Sequence, residues 1–320
     1  MDLHLLVDNL TNPALLFFFL GIIAVQLKSD LEIPPNSAKF ISLYLMFSIG
    51  FKGGLELSHS DLDMEILWSL LFGVFLALFV PIFTYFILRR KFNVANSGAI
   101  AAAYGSVSAV TFVTAVSFLE IEQIEFGGHM VAVMALMEAP SIIIGVLLMA
   151  YFQKDQKGSV KLNGVLHHSL TNGSVLLIMG SLVIGFLASD QQARGIEPFT
   201  TDIFKGFLAV FLLDMGISSG KKLNDFLKKG WFAFFFAIII PLINGCTVAV
   251  VSSIFTESVG NRFLFAILAA SASYIAVPAA MRLAAPKANP SLYLPMALAI
   301  TFPFNITLGM PLYLYIVQTF

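Results

Sequence analysis

Cysteine is all but missing. Cys246 stands alone among 320 residues, so no disulfide forms within the chain and no cysteine-built metal cluster is available. Charge is scarce too: Asp, Glu, Lys and Arg make up 12% of the residues, about half the usual soluble share. With 18 basic and 19 acidic side chains the formal net charge is −1, which removes the basic surface that nucleic-acid binding needs. Phosphate-binding glycine loops followed by lysine and HExxH pairs are also lacking, so the sequence indicates no enzyme class. His167 and His168 are adjacent, and adjacent helical side chains do not converge on one ion.

What the chain has in quantity is apolar surface. Hydrophobic residues reach 58%, and the mean hydropathy is +0.89. A soluble protein of this makeup would expose large adhesive patches. The composition therefore predicts an all-α membrane protein, in which each crossing helix takes about 20 mainly apolar residues. The opening "MDLHLLVDNLTNP" lacks a basic segment, so the first apolar run is expected to be a retained span.

Polar punctuation divides the chain into ten expected spans: 12–27, 38–57, 64–88, 97–119, 129–152, 173–189, 202–221, 229–254, 263–282 and 291–318. The longest polar stretch is read as a linker, 153–172, between a first unit, 1–152, and a second, 173–320. Each unit then holds five spans. "FSIGFKGGLEL" in the second span resembles "LLDMGISSGKKL" in the seventh, aligning Gly50 with Gly216 and Gly54 with Gly220. "AIAAAYGSVSAV" in the fourth resembles "AILAASASYIAV" in the ninth. An odd number of spans per unit makes this an inverted repeat, as in many secondary transporters. All but four of the 18 Lys and Arg residues (Lys52, Arg194, Lys205 and Arg262) fall on one side of that topology. That side is expected to face the cytoplasm of a cell with the protein in its inner membrane, with both termini outside.

The two matched stretches carry the functional reading. The fourth span holds Gly105, Ser106, Val107 and Ser108 at its middle; the ninth holds Ser271, Ser273, Tyr274 and Pro278. Each is read as two half-helices joined by an extended piece, the second halves starting head-on at the midplane. A helix start presents unpaired N–H groups and a partial positive charge, which suits a small anion. Gly105, Ser106, Val107, Ser108, Ser271 and Ser273 are the expected anion site. Small residues also permit close helix packing, which is the competing explanation.

Other polar residues sit within the spans. Glu138, in "ALMEAPSIII", could bind a cation, take up a proton or bond to the broken backbone. Thr301 and Asn305, in "AITFPFNITLGMP", hold the comparable place in the tenth span, and Asn305 could supply an amide oxygen. Thr111, Tyr274, Glu138 and Asn305 together form the expected cation site. Lys52 and Asp214 are expected to pair with each other or to line the pathway.

"YGSVSAVTFVTA", "GSVLLIMG", "NDFLKKGWF" and above all "RLAAPKANPSLY" resemble the sodium-dependent bicarbonate transporters of cyanobacteria, along nearly the whole chain. The resemblance implies ten spans, a homotrimer, and import of bicarbonate coupled to sodium. It also implies a core of spans three to five and eight to ten, with its fourth and ninth helices crossing, that slides like an elevator against a scaffold of spans one, two, six and seven. A P-II-type signalling protein at the cytoplasmic face is a further implied partner. The chain departs from the family in carrying Tyr274 where the ninth-span motif has an aspartate, and its linker is shorter. Four alternatives stay open at this stage: carriage of another small carboxylate or inorganic anion by the same pocket, proton-coupled exchange through Glu138, an anion-binding receptor, and a channel.

Overall fold

The computed structural model describes residues 10–60, 63–152, 173–227 and 230–320. The expected linker, with His167 and His168, lies outside them. Helices are the only regular structure among the described residues. In chain order they are α1 (Pro13–Gln26), α2 (Pro35–Ser58), α3 (Met64–Leu88), α4 (Val94–Gly105), α5 (Ala109–Ile121), α6 (His129–Phe152), α7 (Gly173–Leu187), α8 (Asp190–Glu197), α9 (Phe204–Leu227), α10 (Trp231–Val251), α11 (Val259–Ala270), α12 (Ala276–Ala284) and α13 (Pro290–Thr319).

Among the described residues, seven helical stretches are long and apolar enough to cross a membrane. They coincide with the second, third, fourth, fifth, seventh, eighth and tenth expected spans. Of three shorter apolar helices, α1 and α7 fall within the first and sixth expected spans, and α11 overlaps the ninth from four residues upstream. The starts follow local chemistry. Asn12, Asp63 and Ser258 accept N–H bonds at the starts of α1, α3 and α11, and Pro13 and Pro35 occupy first-turn positions where no N–H is needed.

α3 explains why this fold needs lipid. Its buried face carries Phe72, Leu76, Val80 and Tyr85, while Leu67, Trp68, Leu71, Phe75, Phe79, Ile82 and Phe86 run exposed along the opposite side. Both faces are apolar, so no side is suited to water.

Glycine sets the closest helix crossings. A Cβ on Gly21 of α1 would stand 2.4 Å from the Leu213 carbonyl oxygen and 2.7 Å from the Ile217 amide of α9. One on Gly185 of α7 would stand 2.1 Å from the Phe51 carbonyl oxygen and 3.0 Å from the Leu55 amide of α2. The partners Gly216 and Gly54 are as tight, each 2.0 Å from a backbone oxygen (Phe18 and Leu182). So α1 packs on α9 and α2 on α7, while α3, α4 and α6 form one cluster and α10, α11 and α13 another.

Two elements differ from expectation. "DQQARGIE", read as a loop, is the helix α8, started by a capping box between Ser189 and Gln192. Within α13, residues Met296–Thr301 and Asn305–Gly309 wind as π-helix. Pro295, Pro303 and Pro311 each remove a ladder donor there, and the wider turn is one way a buried helix absorbs the gap.

Candidate functional site

Both expected interruptions are present. α4 stops at Gly105; Ser106 and Ser108 are extended (φ −79°, ψ 160° and φ −102°, ψ 106°), and α5 starts at Ala109. Glycine is required at 105 because a Cβ would meet the Pro81 ring at 2.4 Å. Ser108 restarts the helix, its hydroxyl accepting from the Thr111 amide at 3.2 Å. The second break runs from Ser271 (φ −82°, ψ 166°) to Ile275, and α12 starts at Ala276. Pro278 stands at the third position of the new helix rather than the first. That place is equally permissive, since the first turn has no internal acceptor for its N–H groups.

The two breaks are stitched together. The Ser273 amide donates to the Ala103 carbonyl at 2.8 Å, and the Ser108 amide donates to the Ser271 hydroxyl at 3.1 Å. The Ser271 hydroxyl passes its own proton to Leu268, 3.0 Å away. The end of α11 is closed from neighbouring helices: Asn244 donates to Ala269 at 3.1 Å and Asn305 to Ala270 at 2.7 Å. Groups of both polarities stay open. The amides of Val107, Ala109 and Val110, and those of Ala272, Tyr274, Ile275, Ala276 and Val277, donate to nothing among the described residues, and the carbonyls of Gly105, Ser106, Val107, Ser271, Ala272 and Ser273 accept nothing there. The Ser106 hydroxyl is fully buried and likewise unpartnered. The eight free N–H groups and the spare hydroxyl can meet negative charge, and the open carbonyls beside them can meet a cation.

The surroundings hold this arrangement in place. Pro81 has no N–H, so the Ala77 carbonyl one turn earlier loses its partner; the Ser141 hydroxyl of α6 donates to it at 2.6 Å. Pro241 frees Ala237 in the same way, and Thr301 of α13 donates there at 2.7 Å. The same interval in sequence separates Pro81 from Pro241, Ala77 from Ala237 and Ser141 from Thr301. Tyr104, just before the first break, donates to Thr301 at 2.8 Å, since the Thr301 proton is committed to Ala237.

The other expected residues scatter more widely. α4 and α6 run antiparallel, with Gly98 against Met149 and Ala102 against Gly145. Glu138 is half-buried and has no partner among the described residues. Thr111 is buried at the first turn of α5. The Asn305 amide oxygen already accepts from Tyr313 at 3.3 Å. Lys52 does not pair with Asp214; its ammonium meets Glu120 of α5 at 2.6 Å, and Asp214 stays half-buried on α9 next to Met215. Sequence reasoning missed Tyr104, Asn244 and Ser141. The signal for Ser141 was present, because a proline within a buried helix demands an outside donor for the carbonyl it frees.

Apolar helices of crossing length, two of them interrupted around buried donors, describe a multi-pass membrane protein with a polar site at its centre. Residues 13–318 match the family described as the Na+-dependent bicarbonate transporter superfamily, and the chain belongs to it. It is a transporter-family protein, not an enzyme. No curated protein matches the chain.

Proposed function

We propose that the protein is a secondary transporter that imports bicarbonate together with sodium. One observation carries this reading: the starts of α5 and α12, held together by the Ser273–Ala103 and Ser108–Ser271 bonds, leave their amides free. Bicarbonate is small enough to be held by such amides, and Ser106 adds a donor of the same sign. Membership of a Na+-dependent family supports sodium as the coupling ion. Glu138 supplies an uncommitted carboxylate for it, with Thr111 offering a neutral oxygen.

The ten-span inverted repeat belongs to this proposal. Support comes from the proline–hydroxyl pairs at equal interval and from the matched glycine crossings of α1 with α9 and α2 with α7. Those crossings also suit the scaffold, and the two clusters α3–α4–α6 and α10–α11–α13 suit the moving core. A homotrimer in the inner membrane, termini outward, completes the proposal. The test is uptake of labelled bicarbonate into vesicles of purified protein, with Na⁺ or K⁺ outside. Sodium-dependent accumulation is expected, and uptake indifferent to the cation overturns the coupling.

Proton coupling is a second reading, favoured by the unpartnered state of Glu138. Under it, accumulation persists without sodium while a pH gradient is held. Sodium-free vesicles that stay empty under that gradient exclude it.

A further inference from the structure

Tyr274 lies in the extended piece between α11 and α12, next to the Ser273 amide that ties this segment to Ala103. Its ring stands edge-on to Phe302 at 6.3 Å, and Phe302 stands edge-on to Phe18 of α1 at 5.7 Å. The phenol oxygen points toward α9, where it donates to the buried Met215 sulfur at 3.4 Å. The Ser108 side chain lies beside it, and Asp214 is close enough to act on it.

A thioether is a weak acceptor, and hydroxyls in protein interiors are ordinarily given better ones. Tyr274 therefore holds a strong donor in reserve at the edge of the anion site. The side chain is half-buried. The other free donors there are backbone amides and the short-stemmed hydroxyls of Ser106, Ser108, Thr111 and Ser273; the Tyr274 phenol has the longest reach among them.

We propose that Tyr274 is the residue that selects the anion. When an anion occupies the site the phenol leaves Met215 and donates to it, and the ring closes the site on the α9 side. The hydroxyl sets affinity and the ring sets the largest anion admitted. A phenol adds no fixed charge, so this position serves the anion rather than the cation. The inference rests on the anion-site reading above.

The test uses the full-length protein in vesicles with labelled bicarbonate. Tyr274→Phe keeps the ring and removes the donor. KM for bicarbonate rises roughly tenfold, as for one lost hydrogen bond to a charged acceptor, with Vmax and sodium half-saturation unchanged. Tyr274→Ala lets excess acetate compete with bicarbonate, which it does not do in the parent. Ser106→Ala serves as the reference for the site itself. An impaired Ser106→Ala beside an unaltered Tyr274→Phe overturns the role of Tyr274 and leaves the site standing. Unaltered kinetics in both overturn the site as well. A Tyr274→Phe protein that changes only its sodium half-saturation makes the tyrosine a cation ligand and also overturns the proposal.

Discussion

The Lys52 ammonium stands 2.6 Å from the Glu120 carboxylate and 5.7 Å above the Phe204 ring. The pair joins α2, which packs on α7, to α5, the second half of an interrupted helix. It borders a crevice of about 480 Å³ that Glu56 and Glu125 also line. If the helices around the breaks slide past α2, this bond opens once in every cycle. Its two side chains are about a third and a quarter exposed (32% and 27%), so its contribution to folding is small, about 0.5–1 kcal/mol. Glu120→Gln should leave the unfolding temperature in detergent nearly unchanged and alter Vmax at least twofold at constant KM. Identical Vmax in the variant and the parent would mean the pair does not gate the cycle.

Ser106 separates function from stability. Its hydroxyl bonds to nothing, so Ser106→Ala relieves a buried unsatisfied group and should leave the protein as stable as before, or slightly more so. If an anion uses that hydroxyl, the same change raises KM roughly tenfold, about 1–2 kcal/mol for a bond to a charged group. Ser108→Ala should do the reverse in part: it removes the cap of α5 and costs about 1 kcal/mol of stability. Thermal unfolding and uptake kinetics on the two variants provide the check. A destabilised Ser106→Ala with normal KM would remove this residue from the site.

The hydroxyls facing proline-freed carbonyls make a graded pair. Ser141→Ala strands the Ala77 oxygen, worth about 0.6–1.7 kcal/mol inside a membrane protein. Thr301→Val strands both the Ala237 oxygen and the Tyr104 hydroxyl, so its loss should be larger. Thr301→Ser restores both bonds and should recover most of the loss. Unfolding midpoints of the three variants in one detergent test that order; equal midpoints for Thr301→Val and Thr301→Ser would show that the hydroxyl contributes nothing.

Much of this site was legible in the sequence. Glycine, four serines and a proline in the middle of two otherwise apolar runs are poor choices for unbroken helix, and both runs break where those residues fall. The partners of charged residues were not legible. Lys52 was expected to pair with Asp214, yet Glu120, which lies just past the fourth expected span, is the residue it meets. The π turns of α13 depend on how prolines at 295, 303 and 311 are packed against α10 and α11, which no periodicity reports. α8 hid for another reason: its eight residues are polar enough to read as a loop, and only its Ser189–Gln192 cap gave it away.

The glycines divide into two kinds, and substitution should separate them. At Gly54 and Gly216 a Cβ would lie 2.0 Å from a backbone oxygen of the neighbouring helix, so the helices must part to admit it. Gly54→Ala and Gly216→Ala should each lose the folded protein from the membrane or unfold far below the parent. Gly180 and Gly206 lie within helices too, yet a Cβ on either meets nothing within 4 Å. There alanine gains about 0.5–1 kcal/mol from the lower backbone entropy of the unfolded chain. The same chemical change should thus be ruinous at two sites and mildly stabilising at two others. Monodispersity and unfolding midpoint of the four single variants decide it, and a well-behaved Gly216→Ala would mean that α1 and α9 do not meet as closely as their backbones are placed.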